Sequence, residues 1–503
     1  MESILPIILY ALFLLPILAA GAIGLGAPAR PIALGTSTIT VFLVALLCRY
    51  FDPMVAAQGV FQFTHSIPVL DEPQLALAVG LDGMSMIMVL LSSIVLLAAL
   101  WMVDEKGAHA RLHYAGSLLI GAGAIGAFVS TDMLFFYAFH ELALIPTFLL
   151  IGLAGRGGHA RRAAWRITIY LGAGSMVLLV GLIALFHYTG GESFAMADML
   201  ERSASDPIPQ NIQGPIALLL LIGFGTLVSL VPLHSWAAPA YAAAPTPVAM
   251  LHAGVLKKFG LYGLLRLAIP MLPHGMREWV WLLLVLLILN ILYMGFVTIA
   301  QKRLDTMLGT SSVMHMGYIF LGVATLSIAG NETTTAFAAN PQAGAGAILL
   351  MFAHGIGIAL LFALADRVEN RTGTLEFSAL GGLGRSIPTL GFLFGLAAMA
   401  SIGLPGLANF PGELLIFLGG FKGFDPGQGL QPLQWTTIAA VWGVVISAVY
   451  MLRAYRKVFM AGPEDAPRLA PLTLEEKLPL VMLSVTLVIV GFFPNLILQY
   501  LAF

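Results

Sequence analysis

Charge is scarce in this chain. Of its 503 residues only 10% are Asp, Glu, Lys or Arg and 59% are hydrophobic, whereas a soluble domain carries about 25% charged residues. That shortage excludes a water-facing surface, so the bilayer must act as solvent. Cysteine is nearly missing too. The single Cys48 excludes a disulfide framework, iron–sulfur ligation within the chain and a thiolate zinc site. There is no basic tail or patch, which excludes nucleic acid as a partner. A basic leading segment is also lacking: the chain opens on Met1-Glu2, so no cleavable signal peptide is expected. No phosphate-binding loop with GK[ST] occurs, so ATP is not expected to drive the protein directly. Gly121-Ala122-Gly123-Ala124-Ile125-Gly126 matches the dinucleotide fingerprint in letters, but it lies inside an apolar run with no strand before it. Small residues packing helix on helix explain it better. No cofactor is expected in this chain, so electron transfer would fall to partners.

What is present is a series of apolar runs about 20 residues long. Fourteen can be read, near 3–27, 31–50, 80–102, 112–130, 132–153, 164–188, 213–233, 243–268, 278–300, 306–329, 343–366, 387–419, 433–455 and 478–502. We number these spans one to fourteen. Their length predicts membrane-crossing helices, and their continuity excludes a β-barrel, whose strands would alternate. The fold class expected is therefore an all-α polytopic membrane protein of about fourteen helices. Loops after odd-numbered spans hold 17 of the 24 basic residues, Arg156, Arg161, Arg162 and Arg166 among them. Loops after even-numbered spans hold 4, and Lys257, Lys258 and Arg266 lie within span eight. Basic loops stay in the cytoplasm, which places both termini on the non-cytoplasmic side of the membrane.

Two spans are interrupted. Span seven ends in Pro232-Leu233-His234-Ser235-Trp236, and span twelve contains Gly403-Leu404-Pro405-Gly406 followed by Pro411-Gly412-Glu413. Broken backbone at membrane depth is tolerated only inside protein or beside water. The breaks fall five spans apart, an odd offset that inverts one repeat relative to the other. Two ordinary proline kinks are the plainer reading; paired broken helices in inverted halves, marking an ion path, are the sharper one. The division expected is 1–111 for the first three helices, 112–270 and 271–457 for the two repeats, and 458–503 for the last helix.

Charges stand where lipid would not tolerate them. Glu141 falls in the middle of span five and Glu413 just after the break in span twelve. A charged side chain at the bilayer centre costs about 2.5–3.5 kcal/mol on insertion scales, so both should face protein and have partners. A carboxyl kept protonated as a structural donor is the bland alternative. Lys257 and Lys258 sit halfway along span eight, pointing about 100° apart, so at most one looks down a narrow channel. A buried lysine readily changes protonation state. His252, His315 and His354 add groups that titrate near neutrality. Each alone reads as a core histidine; together with Lys258 they read equally well as a proton relay. Ligand spacing on one helix is lacking, so no metal site is expected.

These residues bring a family into view. Leu81-Asp82-Gly83, Phe139-His140-Glu141, Pro232-Leu233-His234-Ser235-Trp236, Lys258 with Tyr262-Gly263-Leu264-Leu265-Arg266, Ser311-Ser312-Val313-Met314-His315, Ala353-His354-Gly355 and Leu404-Pro405-Gly406 with Gly412-Glu413 recur in order. In this set the chain resembles the antiporter-like membrane subunits of respiratory complex I, most closely those of the M type. The resemblance implies a proton-conducting membrane-arm subunit with two inverted five-helix repeats, working beside other membrane subunits and lipid, with redox chemistry in its partners. It implies that Glu141, Lys258 and Glu413 lie on the proton path. It also exposes a departure: the family carries a lysine on span seven, and Leu227 stands at that place here. Glu141 then lacks its expected cation, and His140, adjacent in sequence, is expected to point elsewhere. The first half-channel is accordingly expected to be altered or silent. Cation/proton antiporters, membrane-bound hydrogenases and inorganic-carbon uptake complexes use the same kind of module and are the rival readings, as is a non-conducting spacer.

Overall fold

The computed structural model describes residues 5–56, 60–330, 335–460, 462 and 469–501; Glu2 and Arg468 lie outside them. Among the described residues, twelve helices are long and apolar enough to cross a membrane, from Leu5–Gly24 to Pro432–Met460. Span twelve is split into the helices Pro388–Ile402 and Asn409–Phe421. Span fourteen is the helix Leu474–Phe492, whose first turn carries Glu475 and Glu476. Each of the fourteen apolar runs is thus met by helix.

The all-α expectation holds for the bundle, with one short element of strand beside it. Gln62–Leu70 and Leu75–Leu81 form an antiparallel hairpin with Ser66 opposite Ala78. Its nine-residue strand, exposed over its last seven positions, is too short to register among runs of 20 residues. Span three correspondingly starts at Gly83 rather than at 80, where Asp82 and Ser85 form a reciprocal cap that satisfies amides left open by the first turn. The hairpin ties two loops together. The Thr131 amide donates to the Ala78 carbonyl, Gln74 pairs with Glu192 and Phe194, and Met196 donates to Thr131. Asp132 caps span five, accepting from the amides of Leu134 and Phe135.

The opposite end of the bundle is held by charge. Arg30 bonds both Glu105 and Glu475, Arg367 and Arg371 both reach Glu476, and Arg156 bonds Glu369 at 2.6 Å. All these groups sit in loops after odd-numbered spans or in the helix turns beside them, so the basic loops gather at one end.

Both breaks are built from left-handed residues. Gln210–Val228 stops at Ser229 with φ 72°, and the chain resumes helically at Ala237–Ala243. Pro388–Ile402 stops at Gly403 with φ 85°. Asn290, from span nine, repairs the first break: its Oδ1 accepts from the Val231 amide at 2.8 Å and its Nδ2 donates to the Val313 and Ser229 carbonyls. Freed backbone groups at this depth need such partners. Span eight, Thr246–Met271, is buried along its most apolar stretch and contains two π-turns, His252–Leu256 and Leu264–Ala268, a distortion frequent at functional sites.

Candidate functional site

Spans eight and eleven touch through glycine. A Cβ on Gly355 would lie 2.6 Å from the Gly254 carbonyl oxygen, and one on Gly254 would lie 3.0 Å from that of Gly355. Only this close approach lets the next polar groups along each helix meet. Lys258 Nζ lies 3.4 Å from His354 Nδ1 and donates to the Ala253 carbonyl at 2.9 Å. The His354 ring stands edge-on to that of His315 with centroids 5.6 Å apart. His315 Nδ1 then faces Glu413 Oε1 at 4.0 Å. The other ring nitrogen, Nε2, meets Tyr450 at 3.2 Å and Ser401 at 3.3 Å, and Tyr450 meets Ser311 at 2.9 Å.

This is a continuous file of titratable groups, Lys258–His354–His315–Glu413, crossing from span eight through eleven and ten to twelve. All four side chains are buried. Glu413 Oε1 and His315 Nδ1 have no hydrogen-bond partner. Buried polar atoms are nearly always bonded, so an orphaned pair at the end of a relay has the form of a gap that a proton or a water crosses.

Lys257 leaves the same helix in the other direction, as the 100° step demands. Its Nζ sits 3.3 Å from Ser312 Oγ and lies over the rings of Tyr241 at 5.2 Å and Trp236 at 5.9 Å, a cation–π pocket. Tyr241 also meets His252 Nδ1 at 3.3 Å. His252 therefore joins the Lys257 cluster instead of the main file. The sequence reading passed over Lys257 as a site residue. The pocket consists of rings, which apolar spans contain in quantity, and so gives no sequence signal.

Glu141 stands apart from both groups. Its carboxylate accepts from Ser175 Oγ, which also reaches the Tyr137 hydroxyl at 3.3 Å. His140 does not point elsewhere: its Nδ1 lies 3.5 Å from Glu141 Oε1, correcting that expectation. The Cβ atoms diverge by 100°, but the two side chains are long enough to bend back together. The His140 ring stacks on Phe259 at 4.0 Å, and Phe259 stacks on Phe136 at 4.2 Å. Phe259, the residue after Lys258, thus joins span eight to the His140 ring beside Glu141. Glu141 keeps 33% of its side chain exposed at the flank of the bundle. Leu227 is buried, and no basic residue lies on the helix Gln210–Val228.

Arg266, read only as a charge within span eight, closes onto Asp82 at 2.6 Å and bonds the Tyr262 hydroxyl. It anchors span eight to the cap of span three. Two motifs distant in sequence prove to be one structural tie.

Residues 130–425 match the model of the transmembrane family described as NADH:quinone oxidoreductase/Mrp antiporter. The NAD(P)H-quinone oxidoreductase chain 4 2 of Microcystis aeruginosa is 34% identical over 460 residues, covering 90% of this chain and 79% of that protein. NADH-quinone oxidoreductase subunit M of Rhodobacter capsulatus is 30% identical over 475 residues, covering 92% and 87%. A chain of respiratory complex I from Thermus thermophilus, solved with bound NADH, superposes with a TM-score of 0.86 at 29% identity, covering 98% of this chain and 97% of that one. An Mrp complex from Dietzia superposes at 0.81 with 20% identity, a likeness of fold alone.

Proposed function

This chain belongs to the NADH:quinone oxidoreductase/Mrp antiporter transmembrane family, and from that premise we propose that it is the M-type membrane subunit of a bacterial respiratory NADH:quinone oxidoreductase. It conducts protons and couples their movement to redox chemistry carried out by partner subunits. The observation that carries this reading is the file Lys258–His354–His315–Glu413, buried throughout and built from groups that all exchange protons. A group positioned to give or take a proton speeds transfer by about 10²–10⁴-fold, and four in series span the width of four helices.

We read the roles as follows. Lys258 holds and releases the proton, His354 and His315 pass it on, and Glu413 receives it at the break in span twelve. Tyr450, Ser311 and Ser401 orient the His315 ring. Lys257 and His252 form a side reservoir bounded by Trp236 and Tyr241. Glu141, paired with His140 and without a lysine on span seven, serves a first half-channel altered from the family pattern. The chain supplies no redox centre of its own. Residues 112–270 and 271–457 act as the two inverted halves, and both termini lie on the non-cytoplasmic side. The antiporter alternative gains nothing from the Dietzia likeness, which is one of fold.

The test is recovery of the chain from its native membrane in mild detergent. Co-purification with flavin- and iron–sulfur-bearing subunits, together with piericidin-sensitive NADH:quinone activity, is the expected result. Recovery with small membrane subunits alone and without redox activity would overturn the reading.

A further inference from the structure

Away from the proton file, at the end of the bundle where the odd-numbered spans finish, lies a cavity of about 480 Å³. Its size is that of a site for a small ligand. It opens between the loop that joins spans five and six, the short helix Ala237–Ala243 and the start of span ten at Leu304. Four guanidinium groups line it, those of Arg156, Arg162, Arg166 and Arg303, against the single carboxylate of Asp305.

These four cations are not equivalent. Arg156 is tied to Glu369 and to the Ala244 carbonyl, and Arg303 is tied to Asp305 by two bonds. Both are fixed in place and largely neutralised. Arg162 and Arg166, one turn apart on the helix Ala160–Tyr188, are exposed and make no ion pair among the described residues. The helix opens at this cavity as well, and His159 provides its first turn with no side-chain cap, so its positive end faces the same space. Two unspent guanidinium groups and a helix start converge on one concave surface, which suits a phosphate group bound in bidentate fashion.

The surroundings say which phosphate. Next to the cavity, outside its own lining, the surface that carries Arg162 and Arg166 continues as an open apolar wall: Trp165, between them in sequence, is 55% exposed, Ile169 64% and Leu153, across the loop, 62%. Trp165 packs edge-on against Phe148 at 5.3 Å, an aromatic placed at the edge of the apolar band where interfacial tryptophans sit. Soluble phosphate has no use for that wall, whereas acyl chains do. Basic pockets between transmembrane helices at the cytoplasmic border bind anionic headgroups.

We propose that this cavity is a binding site for the phosphodiester headgroup of an anionic phospholipid, held by Arg162 and Arg166 with its chains along Trp165, Ile169 and Leu153. The site lies against the broken part of span seven: Tyr170, one turn beyond Arg166, bonds Ser235 at 2.8 Å, and Pro239 lines the cavity. A bound lipid therefore braces the break.

The experiment uses the intact, delipidated assembly in phosphatidylcholine nanodiscs, titrated with phosphatidylglycerol. Retained lipid is counted by native mass spectrometry, and the unfolding midpoint is followed in parallel. Each surface arginine contributes about 1 kcal/mol to anionic-lipid binding, so R162Q/R166Q should weaken phosphatidylglycerol binding by roughly thirtyfold at about 1.4 kcal/mol per factor of ten. R161Q, whose side chain lies outside the cavity, should change it little, and R162K/R166K, which keeps the charge and loses the bidentate fork, should fall between the two. Unchanged retention in R162Q/R166Q would overturn the proposal, as would equal protection by phosphatidylcholine. Protection by millimolar inorganic phosphate alone would assign the site to a free anion and overturn the lipid reading. A crosslink from Gly158→Cys to a neighbouring subunit, with no lipid retained in the assembly, would mark a protein contact and do the same.

Discussion

Glu413 has one carboxylate oxygen with no hydrogen-bond partner and faces a histidine nitrogen in the same condition. A carboxyl kept for structure would be bonded on both oxygens, because an orphaned buried polar atom costs about 1–3 kcal/mol. We expect Glu413→Gln, which preserves shape and removes the titratable oxygen, to leave the unfolding midpoint nearly unchanged. Proton transfer through this chain should fall by about a hundredfold, read as protons moved per NADH oxidised in proteoliposomes; unaltered translocation would reduce Glu413 to a structural residue. Leu227→Lys tests the other half-channel. If the missing lysine silences it, the variant should raise translocation and make Glu141→Gln more damaging than it is in the parent chain. No change in either would count against a defect there. Asp132 gives a pH prediction: burial outweighs its amide donors and pushes its carboxyl up to about 6. A folded-state pKa raised above the ordinary aspartate value of 3.8 favours the protonated form, so its stabilising contribution is whole below that value and is lost as pH rises through 6. Asp132→Asn, a neutral cap at every pH, should therefore gain in unfolding midpoint relative to the parent as pH climbs across that window. A constant difference would refute it.

At the scale of helices, the contact between Gly254 and Gly355 decides whether the file exists. Gly355→Ala forces a methyl group to within 2.6 Å of a backbone oxygen, which cannot swing aside as a side chain would. The cost of such overpacking is about 1–3 kcal/mol, and spans eight and eleven should separate. We expect a lower unfolding midpoint together with uncoupling of Lys258 from His354, so that His354→Ala adds less to the translocation defect in the Gly355→Ala background than alone; additive defects would show that the two residues act independently. The sequence already displayed much of this arrangement. Lys258, His315, His354 and Glu413 stood out because ionisable groups in apolar spans are rare and expensive. Asn290, Tyr450 and Ser401 did not, since uncharged polar residues in such helices are common and bond to their own backbone. Both breaks were legible from proline and glycine, while the side chain that repairs the first lies some sixty residues away and carries no local mark. The hairpin was missed because its nine-residue strand is mostly exposed and shows no alternation that would mark it.

Across the whole molecule, charge asymmetry and ion-pair placement give one answer from different data. The basic loops after odd-numbered spans were identified from counts alone, and the structure gathers their arginines with Glu105, Glu369, Glu475 and Glu476 at a single end. Had one span been missed, the alternation would have scattered these pairs over both ends, because each error inverts every later loop. The same end holds the arginine-lined cavity, so its orientation determines which leaflet supplies the lipid. Cytoplasmic retention of basic loops is the ground on which we propose that this end is cytoplasmic. The single Cys48 makes this directly measurable, since Cys48→Ser leaves a chain without thiols. In that background Gly158→Cys, in the exposed loop after span five, should resist a membrane-impermeant maleimide in intact cells and react in inverted vesicles. Gln428→Cys, exposed after span twelve, should react in intact cells. The reverse pattern would turn the subunit over, and with it the direction of the proton movement proposed along the file to Glu413.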